Sequence, residues 1–299
     1  MTTNKPTKTA FIPTFRCSSL GDLMSDGRGG SKAELIAKRR AEVEAQQAKV
    51  DADNAEKKEH LKTSKARAAK LEQMQNDLQQ LIDTPETPDE KLGETAKSKC
   101  RAIVLEQIYG ALEEHESDAT RHGLLFEPAA ILQYGEMIGA NKPKKHSQFR
   151  KNMVRKYFKW GDGDAQFILT GEPDVVFRNI IFEFKCPSSI SSFETQCRTP
   201  IVDYILQVQG YMLLFGLDKA EIVTSLFRNK NIKSDRIFED TPRCKRFHTF
   251  TVYADDAIQT AIVERLALCA QYVRQFADSF DRNAGFYKYL EYRQMLKNE

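Results

Sequence analysis

Asp174, Glu183 and Lys185 are the first side chains in this sequence whose types and spacing could do chemistry together. They fall within residues 171–187, GEPDVVFRNIIFEFKCP. Two carboxylates beside an ammonium are the materials from which a metal site with a neighbouring cation can be built. Side chains alternate across an extended strand, so Glu183 and Lys185 share one face while Phe182 and Phe184 pack on the other. Arg178 and Asn179 stand between two β-branched and aromatic runs, 175–177 and 180–184, which predicts a tight hairpin. Such a hairpin folds Asp174 back beside Glu183. A solvated ion pair at a strand end is the plain alternative for the same residues, and the rest of the chain has to decide between them.

Two further polar residues lie in apolar settings. Glu127 sits in residues 121–138, RHGLLFEPAAILQYGEMI, a stretch that reads as largely helical. With Leu124, Leu125, Phe126, Ala129, Ala130 and Ile131 around it, Glu127 is expected to point into a cleft where a cation satisfies it. Gln207 lies in residues 203–216, DYILQVQGYMLLFG, a predicted helix that puts Tyr204, Gln207 and Tyr211 on one face. A buried amide without a partner is costly, so Gln207 is expected to read a metal or a phosphate. Ile205, Met212, Leu213 and Phe215 are expected to pack on a sheet.

Between those elements runs a basic stretch: Lys142, Lys144, Lys145, Arg150, Lys151, Arg155, Lys156 and Lys159, without an Asp or Glu among them. Phe149, Tyr157 and Phe158 are interleaved and Trp160 follows. The whole chain is nearly balanced at +3, so this local excess and not total charge is the nucleic-acid signal. Arg228, Lys230, Lys233, Arg243, Lys245 and Arg246 form a second basic cluster beside the connection between two predicted strands, 220–227 and 247–253. Residues 167–170 read as another strand, a Ser-rich turn follows Pro187, and 257–276 reads as a covering helix.

Upstream, residues 11–24, FIPTFRCSSLGDLM, carry enough apolar side chains to dock on a core, with Ser18 or Ser19 placed to cap a short helix. Gly27, Gly29 and Gly30 mark a break. From 31 to about 82 the chain turns to Ala, Glu, Lys, Gln and Arg without Gly or Pro, which is strong helix-forming material. Ile36, Val43 and Val50 recur at heptad spacing, Leu71, Met74, Leu78 and Leu81 alternate three and four apart, and Lys57, Lys58 and Glu59 interrupt the middle. Two paired helices, one solvated helix and a partner-binding coiled coil all fit. Thr84-Pro85 and Thr87-Pro88 close this arm, and an amphipathic pattern resumes at Leu92.

At 299 residues and 41% hydrophobic content, the chain can bury one large core or two modest ones. Its six cysteines contain no C-x-x-C pair, which argues against a zinc ribbon or an iron-sulfur cluster and for reduced thiols. No apolar run reaches about 18 residues and the polar N-terminus lacks an apolar signal core, so neither a membrane span nor a secretory signal is expected. A cytoplasmic location follows as the expectation.

Taken in order, these segments resemble the PD-(D/E)XK nucleases, and within them the phage lambda exonuclease and YqaJ-like viral recombinase group. The resemblance rests on RCSSLGDLM, on G-x-x-x-E at Gly123 and Glu127, on Pro173-Asp174, on Glu183-Phe184-Lys185-Cys186-Pro187 and on Gln207-Val208-Gln209. It implies an α/β fold: a restriction-endonuclease-like core, with a mixed central sheet flanked by helices, carrying a long N-terminal helical insertion. The corresponding domains are a docking segment 1–30, a helical or coiled-coil insertion 31–83 and a nuclease domain 92–299.

The resemblance further implies a Mg²⁺-dependent enzyme, with Mn²⁺ able to substitute, that digests the 5′ strand from double-stranded DNA ends and leaves a 3′ tail for homologous recombination. Asp174, Glu183 and the Phe184 carbonyl would ligate metal, and Glu127 would hold a second ion or its water shell. Lys185 would orient or activate water, and Gln207 would support it or the scissile phosphate. Ser19, with Arg16 as its companion, matches a position that contacts the terminal 5′ phosphate. Lys144, Lys145, Arg150, Lys151, Arg155 and Lys156 would track DNA. A single-strand annealing or binding protein and a second copy of the chain are the implied partners, and a bacterial host the implied compartment for a phage-borne gene. An endonuclease of the same superfamily and a non-catalytic recombination scaffold are the competing readings.

Overall fold

The computed structural model describes residues 11–25, 32–55, 62–83, 91–110, 117–140, 149–227 and 241–285. The chain divides into two compact units, one of Met1–Met24 with Lys99–Glu299 and one of Ser25–Ser98.

In the smaller unit the described part of the polar arm is a pair of helices. Helix α2 (Lys32–Ala55) and helix α3 (Lys62–Asp83) pack on one another. Ile36, Val43 and Val50 are half-buried along the seam and Leu71 is buried. Polar bonds join the two helices as well: Gln46 Nε2 donates to the Arg67 carbonyl at 3.1 Å, and Arg67 Nη1 to Asp53 Oδ1 at 2.7 Å. Lys57, Lys58 and Glu59, the interruption read from the sequence, lie outside the described residues, as do Gly27, Gly29 and Gly30 and the two Thr-Pro pairs.

In the larger unit the expected strands form two sheets and not one central sheet. Strands β1 (Thr14–Arg16), β2 (Lys156–Trp160) and β3 (Phe167–Gly171) make a three-stranded sheet in the order β1-β3-β2, with β1 parallel and β2 antiparallel to β3. Strands β4 (Val175–Phe177), β5 (Ile180–Lys185), β6 (Lys219–Ser225) and β7 (Phe247–Tyr253) make a four-stranded sheet in that order. Only β5 and β6 are parallel in it. Glu172-Pro173-Asp174 separates β3 from β4, and proline has no N–H to carry a ladder across.

Both faces of the four-stranded sheet are covered. Helix α4 (Glu94–Tyr109) leads to helix α5 (Asp118–Met137), whose Ala130, Ile131 and Tyr134 pack on one face with Phe149, Phe182, Phe184, Val223 and Phe247. The Phe149 ring stands 4.9 Å from Phe182 and the Tyr134 ring 5.7 Å from Phe184. Each buried ring contributes roughly 1.5–3 kcal/mol, so Phe182 and Phe184 anchor β5 by one face and leave its other face to Glu183 and Lys185. On that side lies helix α7 (Val202–Phe215), which ends at Gly216 in the left-handed region, φ 64°. Helix α8 (Asp256–Ala284) runs past the expected end at 276.

The stretch after Pro187, read as a Ser-rich turn, is a helix, α6 (Ile190–Arg198). Serine misleads here because it serves turns and helix starts equally: extended Ser189 accepts from the Ser192 N–H at 3.1 Å and is the N-cap. The reverse correction applies upstream. Ser18 and Ser19 were expected to cap a helix, but they lie inside a 3-10 turn, Cys17–Ser19, that runs into α1 (Leu20–Met24). Arg16 is the N-cap of that turn and makes no side-chain cap bond.

Candidate active site

The hairpin of β4 and β5 turns on Arg178 and Asn179, both in the left-handed region with φ 49° and 60°. That pair of positive φ values matches the right-handed twist of the strands it joins. Val175 faces Phe182 in the ladder, and one step further puts Asp174 opposite Glu183. Asp174 Oδ2 accepts from the Phe184 N–H at 2.7 Å. The N–H and C=O of one residue leave a strand on the same edge, so the Phe184 carbonyl is turned toward the edge that Asp174 occupies.

Behind the hairpin, α7 supplies Gln207 and Tyr211. Lys185 Nζ donates to Glu183 Oε1 at 2.7 Å and to Gln207 Oε1 at 3.1 Å. Gln207 Nε2 donates to the same Glu183 oxygen and to the Tyr211 hydroxyl, each at 2.9 Å. The Lys185 ammonium also stands 4.5 Å above the Tyr204 ring. The face Tyr204-Gln207-Tyr211 therefore lies on Lys185 and Glu183, with Gln207 bracing both. Glu183 is 4% exposed, and its Oε2 has no hydrogen-bond partner among the described residues. A buried carboxylate oxygen left without donors is costly unless a cation meets it.

Glu127 comes from α5. Thr120, Gly123, Leu124 and Glu127 fall on one helical stripe and line a cavity of about 410 Å³ with Phe184, Lys185, Cys186, Tyr204, Ser192 and Gln196. His122, Ala130 and Tyr134 form the buried stripe instead. Leu124 and Leu125, expected to enclose Glu127, are 57% and 69% exposed, because the cavity stripe and not the core stripe carries the carboxylate. Its cation is Lys151, whose Nζ donates to Glu127 Oε1 at 2.8 Å. That hydrogen bond raises the Lys151 pKa.

The electrostatics agree with crowded negative charge. Burial, then the charges of Glu183 and Glu127, hold the Asp174 carboxyl well above the ordinary range, against Lys185 and the Phe184 N–H. Burial pulls Lys185 down, but Glu183 and Asp174 outweigh it and keep the ammonium above its usual value. Burial pushes the neighbouring Cys186 thiol up to about 12, so it is no nucleophile at neutral pH.

The N-terminal segment fixes the back of the site. A Cβ on Gly171 would come within 2.6 Å of the Tyr211 ring and 2.9 Å of Cys17 Sγ. One on Gly210 would come within 2.6 Å of Leu20 and 3.0 Å of Cys17 Sγ. Cys17 and Leu20 thus seat in gaps that only glycine leaves, against the helix that carries Gln207. A glycine in mid-helix costs about 1 kcal/mol, and that cost was the available sequence signal of a close approach at Gly210. The roles of Tyr211, Tyr204, Ser192 and Gln196 were not assigned from sequence.

The expected DNA contacts are less concentrated. Arg16 and Ser19 line a separate cavity of about 70 Å³ with Lys99 and Glu106, not the one at Lys185. Lys151 is paired with Glu127, Arg155 with Glu172 at 3.2 Å, and Lys156 stands 4.6 Å over the Phe215 ring. Arg150 is exposed. Lys142, Lys144 and Lys145 lie outside the described residues, as do Arg228, Lys230 and Lys233.

Whether these groups suit a divalent metal can be judged from the donors. Among the described residues no three His, Cys, Asp or Glu side chains are gathered into a ready coordination shell. Lys151 holds Glu127, the Phe184 N–H holds Asp174, and Lys185 with Gln207 holds one oxygen of Glu183. The unpartnered Glu183 oxygen, the raised Asp174 and the all-oxygen character of the set fit a hard cation such as Mg²⁺ or Mn²⁺. Among the described residues no helix is long and apolar enough to cross a membrane.

No family model and no curated protein matches the chain. Among solved structures, a phage-related exonuclease from Haemophilus somnus 129PT is similar over 90% of this chain and 97% of its own, at 23% identity and a TM-score of 0.58. An alkaline exonuclease from Laribacter hongkongensis covers 64% of this chain and 87% of its own, at 16% identity and a TM-score of 0.46. The mixed sheets flanked by helices, with the acid hairpin on one of them, thus have the restriction-endonuclease-like α/β fold of the Haemophilus somnus exonuclease.

Proposed function

We propose that this protein is a divalent-metal-dependent deoxyribonuclease acting on the ends of double-stranded DNA, digesting the 5′ strand and leaving a 3′ single-stranded tail. The observation that carries the reading is the Asp174-Glu183-Lys185 arrangement: two opposed carboxylates with one buried oxygen unpartnered and an ammonium 2.7 Å from the other. The exonuclease fold supports it.

Asp174, Glu183 and the Phe184 carbonyl would hold the metal, and Glu127 a second ion or its water shell. A bound divalent ion supplies charge stabilisation at the phosphate and makes a water acidic enough to attack it. Lys185, fixed by Glu183, Gln207 and the Tyr204 ring, stays charged and faces the cavity, where it orients the nucleophile and offsets charge on the phosphate. Gln207 keeps Lys185 and Glu183 in register. Were Glu127 to hold a second ion, Lys151, which now donates to it at 2.8 Å, would be left free to meet a phosphate. The 3′ tail suits handover to a single-strand annealing protein in recombination.

The test is degradation of end-labelled linear duplexes, with and without a 5′ phosphate, beside a closed circle, in Mg²⁺, in Mn²⁺ and in EDTA. Loss of 5′-end label from linear DNA only, and only with metal, is expected. Cutting of the circle would establish an endonuclease, and digestion from 3′ ends would reverse the polarity.

A further inference from the structure

Strand β2, Lys156–Trp160, is an edge: among the described residues only β3 pairs with it. It and the residues leading into it put large apolar groups in water. Met153 is 83% exposed, Tyr157 65% and Phe158 50%. Folding leaves such groups outside at no benefit to the core, and a cluster of them marks a contact surface. From Phe149 through Gly161 the chain has no Asp or Glu, and Arg150, Lys156 and Lys159 add positive charge along the same run.

Glu127 and Glu172 hold Lys151 and Arg155, and the rings and remaining cations of the run match a polyanion that offers flat faces. A single-stranded nucleic acid does, because its bases are unstacked and free to lie on Tyr or Phe. A duplex keeps its base faces inside the stack, and a neutral peptide has no use for the charge excess. Position fits as well. The Asn152 N–H donates to the Asp174 carbonyl at 2.6 Å, so the segment starts at the candidate metal acids and runs outward along β2. Tyr157 and Phe158 leave opposite faces of the strand, so a polymer would straddle its free edge.

We propose that β2 is a stacking track for single-stranded DNA, with Tyr157 and Phe158 receiving bases and Lys159 a backbone phosphate, joining the cleavage site to solvent. The choice of DNA rests on the nuclease reading, but binding does not require hydrolysis and is measured with metal chelated. Trp160 is the one tryptophan of the chain and its ring lies 4.9 Å from Phe158, so its fluorescence reports on the track directly.

The experiment titrates the full chain in EDTA with fluorescein-labelled oligo-dT of about 20 nucleotides, a length that covers one stacking platform, and with a duplex of equal length. Quenching of Trp160 by oligo-dT is expected. Tyr157→Ala and Phe158→Ala should each weaken oligo-dT binding about tenfold while barely touching the duplex. Tyr157→Phe should bind as the parent, and Lys159→Ala should lower the salt slope by about 1. Circular dichroism checks that each variant is folded. Unchanged oligo-dT affinity in the folded double variant would overturn the proposal. So would an equal loss on the duplex, or a parent dimer that the double variant dissolves, which would make the rings an interface between copies. Metal-dependent hydrolysis without oligo-dT binding would remove the track and leave the nuclease; binding without hydrolysis would do the opposite.

Discussion

Replacing Asp174 by Asn removes one negative charge and almost nothing else. The Asn oxygen can still accept from the Phe184 N–H, now held at 2.7 Å. Opposed residues in an antiparallel ladder keep their Cβ atoms roughly 5 Å apart. Two unit charges at about that distance repel by about 3 kcal/mol at an effective dielectric constant of about 20. Lys185 offsets part of this, so without metal the variant should gain about 1–2 kcal/mol, or about 2–4 °C in Tm for each kcal/mol. The pH dependence has a fixed sign. The Asp174 pKa is raised in the folded protein, so above the unfolded value of about 3.9 the native state keeps a proton that the unfolded chain has lost. Stability of the parent therefore falls as pH rises through the window from about 3.9 to the raised value, and the advantage of Asp174→Asn grows across that window and vanishes below it. The assay is thermal unfolding in EDTA and in Mg²⁺ across pH, beside DNA degradation. Asp174→Asn should be the more stable protein in EDTA, should gain less from Mg²⁺ than the parent, and should be inactive. A variant less stable than the parent in EDTA at neutral pH, or one that still degrades DNA, would refute the crowded-carboxylate reasoning.

Other substitutions probe the brace around that charge. Lys185→Ala leaves Glu183 buried without its ammonium, which should cost about 3–5 kcal/mol and abolish metal-dependent hydrolysis while DNA binding persists; full activity would remove Lys185 from the chemistry. Gly171→Ala puts a Cβ 2.6 Å from the Tyr211 ring and 2.9 Å from Cys17 Sγ, where neither neighbour has room to retreat. It should lower the unfolding free energy, read by denaturant titration, by about 1–3 kcal/mol and reduce kcat, and a stability equal to the parent's would show that the gap is not filled in solution. Tyr211→Phe takes the acceptor from Gln207 Nε2 and should cost about 1 kcal/mol, with a drop in kcat and little change in KM; a change in KM alone would place Tyr211 at the substrate instead.

The hairpin was legible because every local rule agreed on it. Arg178-Asn179 could only be a turn, the aromatic residues on either side could only be strands, and alternation fixed which face each charge took. Glu127 and Gln207 were legible as polar residues in apolar helices. The sequence points Gln207 at a metal or a phosphate, and the fold adds what sequence does not show, its bridge between Glu183 and Lys185. What escaped were short elements whose exposure gives no pattern. Strand β2 is exposed at Lys156 through Lys159 and carries no alternation of burial to read. Helix α6 has no buried residue, and its serines look like a turn. The break between the two sheets depends on where Pro173 falls in three dimensions and not on any periodicity.

The network behind the site also changes what the basic run means. Lys151 and Arg155 satisfy Glu127 and Glu172 in the folded chain, so they add little net attraction for distant phosphate. On the proposed reading, a metal that took Glu127 would leave Lys151 without that partner and available to a phosphate. Affinities for DNA and for metal would then be coupled through one carboxylate, with each ligand favouring the other by linkage. The charge that reads in sequence as a static patch is, in the structure, partly paired with Glu127 and Glu172.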